Sequence, residues 1–334
     1  MAVGAVQSFL VDGLGQLSPG IANVSSGGNG PPFVVGLSTG EVAVVNYGSG
    51  TSSVIPTRDE VFFGDNAPIV TFPPPVNGSS HPHMVLEHNG EILIPDLVRL
   101  FPPLHDTTFR LLLIRVLTQF GDLHGTKTLI VTKFRVLFLS LKVVDLDILQ
   151  YMVRANSSNK KLETDVLGTV EDRLYTLHEL SSTLTVQRIP GPPNATVPII
   201  ASVSITPPNP PAGAKFAAAE ILIPPTSPAF PIPYIYVSNR NTGNLDPRGD
   251  SIAIFQHVNK DRRDEGLQLI QQVYTGLDQI RGMEFGPDPY EFLAASGFQG
   301  SAGVLILRRI DEGRNLEIVA RNLDVPTRTS FVWL

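Results

Sequence analysis

The chain has 334 residues, 42% hydrophobic and 17% charged, and its 29 Gly and 29 Pro favour many turns and few long helices. With 25 Lys and Arg against 31 Asp and Glu the net charge is −6, which argues against a broad phosphate-binding surface and against nucleic acid as a partner. No Cys is present, so disulfides, a thiol nucleophile, zinc knuckles and iron–sulfur ligand sets are excluded.

In chain order, the opening residues show no basic segment ahead of an apolar one, and Asp12 arrives early. A cytoplasmic location is therefore expected, while four Asn-X-Ser/Thr sequons at Asn23, Asn77, Asn156 and Asn194 keep secretion open. QSFLVDGLGQL, leading to VSSGGNG, reads as the outer strands of a unit whose inner strands are absent. FVVGL, GEVAVVNY and SSVIPT (33–56) form a run of short strands separated by turns, and HPHMVLEH and EILIPDL (81–97) begin another. From 98 to 170 the pattern changes. FRLLLIRVLTQF and KFRVLFLSLKVVDLDILQYMV are too densely apolar for one exposed face and lack Gly-Asp-Ser turns, so irregular or helical packing is expected there. Arg115, Lys133, Arg135, Lys142, Asp145 and Asp147 divide the segment and argue against a membrane span.

The strand pattern returns with DRLYTLHEL, TLTVQRI and IIASVSI (172–205). The uncharged stretch 189–214 is broken by Pro190, Pro192, Pro193, Pro198, Pro207, Pro208, Pro210 and Pro211, so it cannot be a spanning helix, and no membrane partner is expected. The clearest unit is 219–276, with AEILIP, YIYVSNR, DSIAIFQHV and LQLIQQVYTG. IRGMEFGPD, EFLAASGF, GVLILRRI and LEIVARN (277–322) repeat it. Four short strands per unit, each sheet burying both faces against its neighbours, is the pattern of a propeller blade. The expectation is an all-β fold, one β-propeller domain over 1–334 built of four-stranded antiparallel blades, with five blades and a fragment legible. The segments 219–276 and 277–322 should be adjacent sheets.

HPHMVLEHNGEILIPDL, DRLYTLHELSSTLTV, YIYVSNRNTG with DPRGDSIAIF, and RGMEFGPDPYEFLAASG resemble the seven-bladed lactonase propellers, the family of cofactor-independent 6-phosphogluconolactonases and fungal 3-carboxy-cis,cis-muconate cyclases. GGNGP near the start and RNLEIVARN with PTRTSFVWL at the end are most similar to uncharacterised fungal members. The resemblance spans roughly 9–97 and 173–334 and omits 98–170. It implies a lactonase or lactonising cyclase that needs no cofactor or metal and acts on a small anionic lactone or carboxylate. It also implies a pocket carrying a His, two Arg and a Glu. These fall on His81, with His83 as the near alternative, on Glu179 and on Arg240, and the neighbours His83 and Asn239 are expected to contact substrate. The second Arg belongs to a GPRH-type motif before DRLYTLHEL, where this sequence reads LGTVED. Arg173 lies in the next strand and does not inherit that role.

The residue types suit the chemistry. Opening or closing a lactone makes or breaks one ester C–O bond, which calls for an anion clamp, a proton carrier and a group that orients it. Arg offers a planar bidentate fork, His a proton carrier near neutrality, and Glu a positioning carboxylate. Plainer roles exist for each: His81 and His83 flank Pro82 at a turn, Glu179 can cap one, and Arg240 can pair with Asp246 or Asp250. GGNG (27–30) lacks the Lys-Ser/Thr of a phosphate loop and reads as a hairpin turn. Arg248 argues against calcium binding at 246–250, Asp311, Glu312 and Arg314 form a charged turn, and RRDE (262–265) reads as an exposed loop. The rival to catalysis is a propeller kept as a binding or interaction module, or an incomplete, inactive family member, and the missing Arg favours it.

Overall fold

A computed structural model describes residues 3–12, 16–59, 61–65, 67–74, 79–88, 91–96, 108–123, 126–142, 150–152, 172–179, 181–189, 198–299, 303–322, 324–325, 331 and 333. The chain divides into two compact units, one of residues 1–146 and 190–197, the other of 147–189 and 198–334. Among the described residues every regular element is a strand except a 3-10 turn at Asp311–Gly313.

In the first unit, β1 (Ala5–Ser8) and β2 (Ala22–Ser25) form the two-stranded fragment expected at the start. β3 (Phe33–Gly36), β4 (Val42–Asn46) and β5 (Thr51–Ile55) continue past the small hairpin β6 (Thr57–Arg58) and β7 (Phe62–Phe63) to β8 (Ile69–Thr71), which completes a four-stranded antiparallel sheet. β9 (Leu86–His88), β10 (Glu91–Asp96), β11 (Thr108–Leu123) and β12 (Thr126–Lys142) form another. The expectation of irregular or helical packing over 98–170 is thus corrected for 108–123, 126–142 and 150–152, which are strands; the rest of that segment, with Asn77, Asn156 and Asn194, lies outside the described residues. Dense β-branched and aromatic runs suit a strand buried on both faces as well as a helix, so periodicity alone could not separate the two. Leu37, Ala43, Val45, Val54 and Phe72 of the first sheet pack with Val85, Ile92 and Ile94 of the second.

The second unit contains three four-stranded antiparallel meanders: β13 (Gln150–Met152) to β16 (Ile199–Ser204) through β14 (Arg173–His178) and β15 (Thr183–Arg188); β17 (Phe216–Leu222) to β20 (Gly266–Tyr274) through β18 (Ile235–Asn241) and β19 (Ser251–Val258); and β21 (Asp278–Phe285) to β24 (Asn315–Asn322) through β22 (Phe292–Gln299) and β23 (Val304–Ile310). The last two are the adjacent sheets expected for 219–276 and 277–322, with β21 packed on β17 and β18.

Period-2 alternation explains the stacking. In β18 and β19, Ile235, Val237, Ala253 and Phe255 enter a core with Tyr175, Leu177, Leu184 and Val186, while Tyr236, Ile252 and Ile254 enter another with Met283, Phe285, Leu305 and Leu307. All seven residues of β18 are therefore buried. At full burial each large apolar side chain contributes about 1.5–3 kcal/mol, and the middle sheet gains this on both faces.

Polar groups close the ends of these apolar seams. Where β14 begins and β19 ends, the Arg173 guanidinium, 0% exposed, ion-pairs with Asp172, with Asp261 (2.7 Å) and with Glu265 (2.7 Å), the last only 7% exposed. His257 Nε2 meets Glu265 at 2.9 Å, and its Nδ1 meets the Tyr175 hydroxyl at 2.7 Å. The hydrogen bond from Arg173 holds the Glu265 carboxyl below its usual range. Glu265 therefore departs from the exposed RRDE loop expected from sequence, because the loop between β19 and β20 reaches the neighbouring sheet and Arg173 needs a counter-charge there. Where β18 begins, Arg309 Nε donates to the Tyr236 hydroxyl (2.9 Å), which donates to the Gly313 carbonyl (2.6 Å), and the guanidinium lies 3.8 Å from the Phe230 ring centre.

Replacing Arg173 leaves Glu265 buried without its cation. Arg173→Ala should cost about 3 kcal/mol, the low end for a broken buried pair because Asp172 and Asp261 remain solvated. The check is urea unfolding: a midpoint unchanged from the parent protein would show that the cluster contributes no net stability.

Candidate active site

In the second unit the strand ends opposite the Arg173 cluster carry Glu179 and Arg240. Glu179 follows β14 directly, and its backbone carbonyl accepts the Ala218 N–H of β17, which fixes it beside the neighbouring sheet. Arg240 is the penultimate residue of β18. Its Nη2 ion-pairs with Glu179 and donates to the Ala218 carbonyl at 3.1 Å. The two side chains are 3% and 13% exposed, so the pair sits at the solvent boundary. Arg240 Nε is buried and has no hydrogen-bond partner among the described residues. Such a donor has capacity for one further acceptor, a water or a ligand oxygen.

The alternative partners for Arg240 are engaged elsewhere. Asp246 pairs with Arg248 (2.7 Å). Asp250 accepts the Asn241 N–H at 2.9 Å and the Ile280 N–H at 3.3 Å, joining the end of β18 to the start of β21. Burial raises the Asp250 carboxyl to about 6 despite these bonds. Asn239 is buried, donates to the Ile205 carbonyl at 3.3 Å, and leaves its Oδ1 without a partner. His178, beside Glu179, meets Thr185 Oγ1 at 2.9 Å, and burial pushes its imidazole down to about 4.

In the first unit, His81 is held from three sides. Its N–H donates to Asp96 Oδ1 (2.6 Å), its ring stacks on Tyr47 with centroids 4.4 Å apart, and its Nδ1 lies 2.8 Å from the Tyr47 backbone carbonyl. A carbonyl only accepts, so Nδ1 carries the proton and the neutral ring presents the bare Nε2. His83 meets the other side of the arrangement, edge-on to Tyr47 at 6.0 Å. Ser80 Oγ also donates to Asp96. Thus Glu179 and Arg240 are brought together in one unit, His81 and His83 in the other. Tyr47 and Asp96 were missed because the sequence marks them only as a Tyr before a Gly turn and an Asp after Pro95. Among the described residues no group of three His, Asp or Glu is arranged to hold a metal ion.

Residues 159–333, just over half of the chain, match the family model described as a lactonase, 7-bladed beta-propeller. The chain belongs to this family. A search of curated protein sequences gives no match. Among solved structures, this lactonase-family chain is similar to a Lactobacillus plantarum protein (TM-score 0.67, 18% identity, 98% of this chain and 81% of that one). It is also similar to a Bacteroides fragilis protein proposed to be a 6-phosphogluconolactonase (0.64, 17%, 98% and 79%) and to a Pseudomonas aeruginosa periplasmic gluconolactonase (0.62, 14%, 98% and 79%). At these identities the likeness shows the fold. No helix among the described residues of the lactonase-family chain is long and apolar enough to cross a membrane.

Two measurements check this geometry. Long-range 15N–1H correlation should find neutral His81 protonated on Nδ1, the opposite of the form free histidine prefers; a proton on Nε2 would contradict the Tyr47 contact. The second concerns acid stability. His178, depressed in the fold, contributes stability that is complete above about pH 6.5 and lost as the pH falls toward 4, whereas Asp250, raised, disfavours the fold above about pH 6 and stops doing so as the pH falls toward its unfolded value. The two effects oppose one another, so Asp250→Asn should steepen the loss of stability between pH 6.5 and 4 by about 3 kcal/mol. Parallel urea midpoints for the parent protein and the variant would refute this.

Proposed function

We propose that this protein is a cofactor-independent lactone hydrolase acting on a small anionic sugar lactone of the 6-phosphogluconolactone type. The observation that carries the reading is the Arg240–Glu179 pair with its orphaned guanidinium donor, at the solvent boundary of a lactonase-family fold. The similar Bacteroides fragilis protein, proposed to be a 6-phosphogluconolactonase, supports a phosphorylated sugar lactone, and the Pseudomonas aeruginosa gluconolactonase supports a sugar lactone more broadly.

In the proposed reaction a water oxygen adds to the lactone carbonyl carbon and gives up a proton to a base. The ring C–O bond then breaks, a proton returns to the departing ring oxygen, and the product is a hydroxy acid. Arg240 stabilises the negative charge that develops on the carbonyl oxygen, and Glu179 fixes the guanidinium that does so. In the second unit Asn239 is the proposed substrate contact; the first unit by itself offers His81, with Nε2 bare, as the proposed proton carrier and His83 as its neighbouring contact. Cyclisation of a carboxymuconate would instead add a carboxylate oxygen across a C=C bond, breaking its π bond and placing a proton on the neighbouring carbon, so it is assayed alongside.

The test follows opening of 6-phosphogluconolactone and, separately, cyclisation of 3-carboxymuconate. Arg240→Ala should lower kcat/KM for the lactone by roughly 10- to 150-fold, the loss of a charge-assisted bond worth about 1.5–3 kcal/mol. Arg240→Lys should recover only part, because an ammonium lacks the bidentate fork. His81→Ala should act mainly on kcat, by roughly 10²–10⁴. A parent protein that turns over no lactone would favour a binding module, and activity indifferent to both substitutions would overturn the residue assignment.

A further inference from the structure

An anionic substrate needs net positive charge, and the Arg240–Glu179 pair is neutral as a whole. LGTVED, moreover, offers no Arg where the resemblance expects one. The question is which cation supplies the missing charge on that side of the second unit.

Arg281 has the required features. Its strand, β21, packs against β17 and β18. The β21–β22 register pairs Ile280 with Gly297 and Gly282 with Ser296, so Arg281 is the extra residue of a β-bulge. A bulge turns a side chain away from the pleat, and Arg281 is exposed although its neighbours Ile280 and Gly282 are buried. Gln279, two residues earlier, has φ 56°, in the left-handed region, where the strand starts under strain and its course is fixed by surrounding bonds. The Arg281 guanidinium lies 5.0 Å from the Phe298 ring centre and makes no ion pair among the described residues. Phe298 itself is 41% exposed, so a cation resting on an apolar ring faces solvent.

Hydrogen bonds tie this residue to the candidate site. The Asp250 carboxylate holds both the Asn241 N–H, next in the chain after Arg240, and the Ile280 N–H, immediately before Arg281. Asn241 Oδ1 in turn accepts the Lys215 N–H, and Lys215 is exposed. Three cationic residues from neighbouring strand ends thus hang on one frame made by Asp250 and Asn241.

We propose that Arg281, flanked by Lys215, forms an anion seat beside the Arg240–Glu179 pair, and that it takes the phosphate monoester of a phosphorylated sugar lactone. This rests on the lactonase reading and adds its substrate discrimination: the guanidinium fork matches a phosphate bidentately, and Phe298 offers an apolar floor for the sugar chain.

Calorimetric titration of the full chain with 6-phosphogluconate, inorganic phosphate and gluconate tests the seat without any turnover. The parent protein should bind 6-phosphogluconate more tightly than gluconate. Arg281→Gln should weaken 6-phosphogluconate binding by about tenfold or more and leave gluconate unchanged, Arg281→Lys should recover part, and Arg262→Gln, which removes an exposed charge at the opposite strand ends, should change neither. Arg281 is exposed, so these variants should fold as the parent does, to be checked by circular dichroism. If 6-phosphogluconate binds the parent protein and Arg281→Gln equally, or fails to bind the parent protein, the seat is refuted. Lactone turnover with a KM independent of Arg281 would refute the seat and leave the lactonase reading standing. Arg281-dependent phosphate binding without any lactone turnover would do the reverse.

Discussion

Burial of β18 on both faces is the constraint from which the rest of the second unit follows. A strand whose seven residues are all buried can keep its backbone satisfied only by pairing on both edges, and its side chains only by meeting apolar partners on both sides. β17 and β19 supply the edges. The flanking sheets supply the partners, with odd residues turned one way and even residues the other. Ser238 in the middle of β18 accepts the Glu220 N–H, whereas the buried ion pairs of this stack, Arg173–Glu265 and Arg240–Glu179, lie at the strand ends, where water and neighbouring loops are within reach.

That confinement explains why chemistry-bearing residues occur in clusters. At one end of the seams the Arg173 cluster and the Arg309–Tyr236–Gly313 chain bond neighbouring sheets to one another, with Arg309 Nη2 left without a hydrogen-bond partner among the described residues. At the other end, Arg240 keeps a buried donor unpartnered, Asn239 keeps an acceptor, and Arg281 stands on an exposed bulge. A donor or acceptor left open beside a solvent-facing strand end retains capacity for water or a ligand. Asp250 lies at this second end and performs a structural task with a carboxylate that burial raises to about 6. Sheet docking and site geometry are thereby coupled through a single side chain.

Much of the architecture was written in local patterns. AEILIP, YIYVSNR, DSIAIFQHV and LQLIQQVYTG announce a four-stranded meander because short apolar runs are punctuated by Asn, Gly, Asp and Pro. The same reading located the strands of 33–56 and 172–205 and the two-stranded fragment at the start. It failed at 108–142, where the apolar runs on either side of Gly121–Gly125 have no period that separates a strand from a helix. β11 and β12 were decided by pairing with each other and with β10, an interaction between segments that a local window does not contain.

The site divides in the same way. The sequence by itself determined the residue types, an Arg ending an apolar strand and a Glu following one, because alternation fixes where strands end and polar residues begin. Only the tertiary structure decided partners: Arg240 with Glu179 rather than Asp246 or Asp250, Glu265 under Arg173 rather than in solvent, and the Nδ1 proton of His81 set by the Tyr47 carbonyl. Asp250 shows why. Its bonds reach nine residues back to Asn241 and thirty residues on to Ile280. Partnership across such separations depends on how sheets dock, and docking is a property of the packed chain, whereas strand formation is a property of its local pattern.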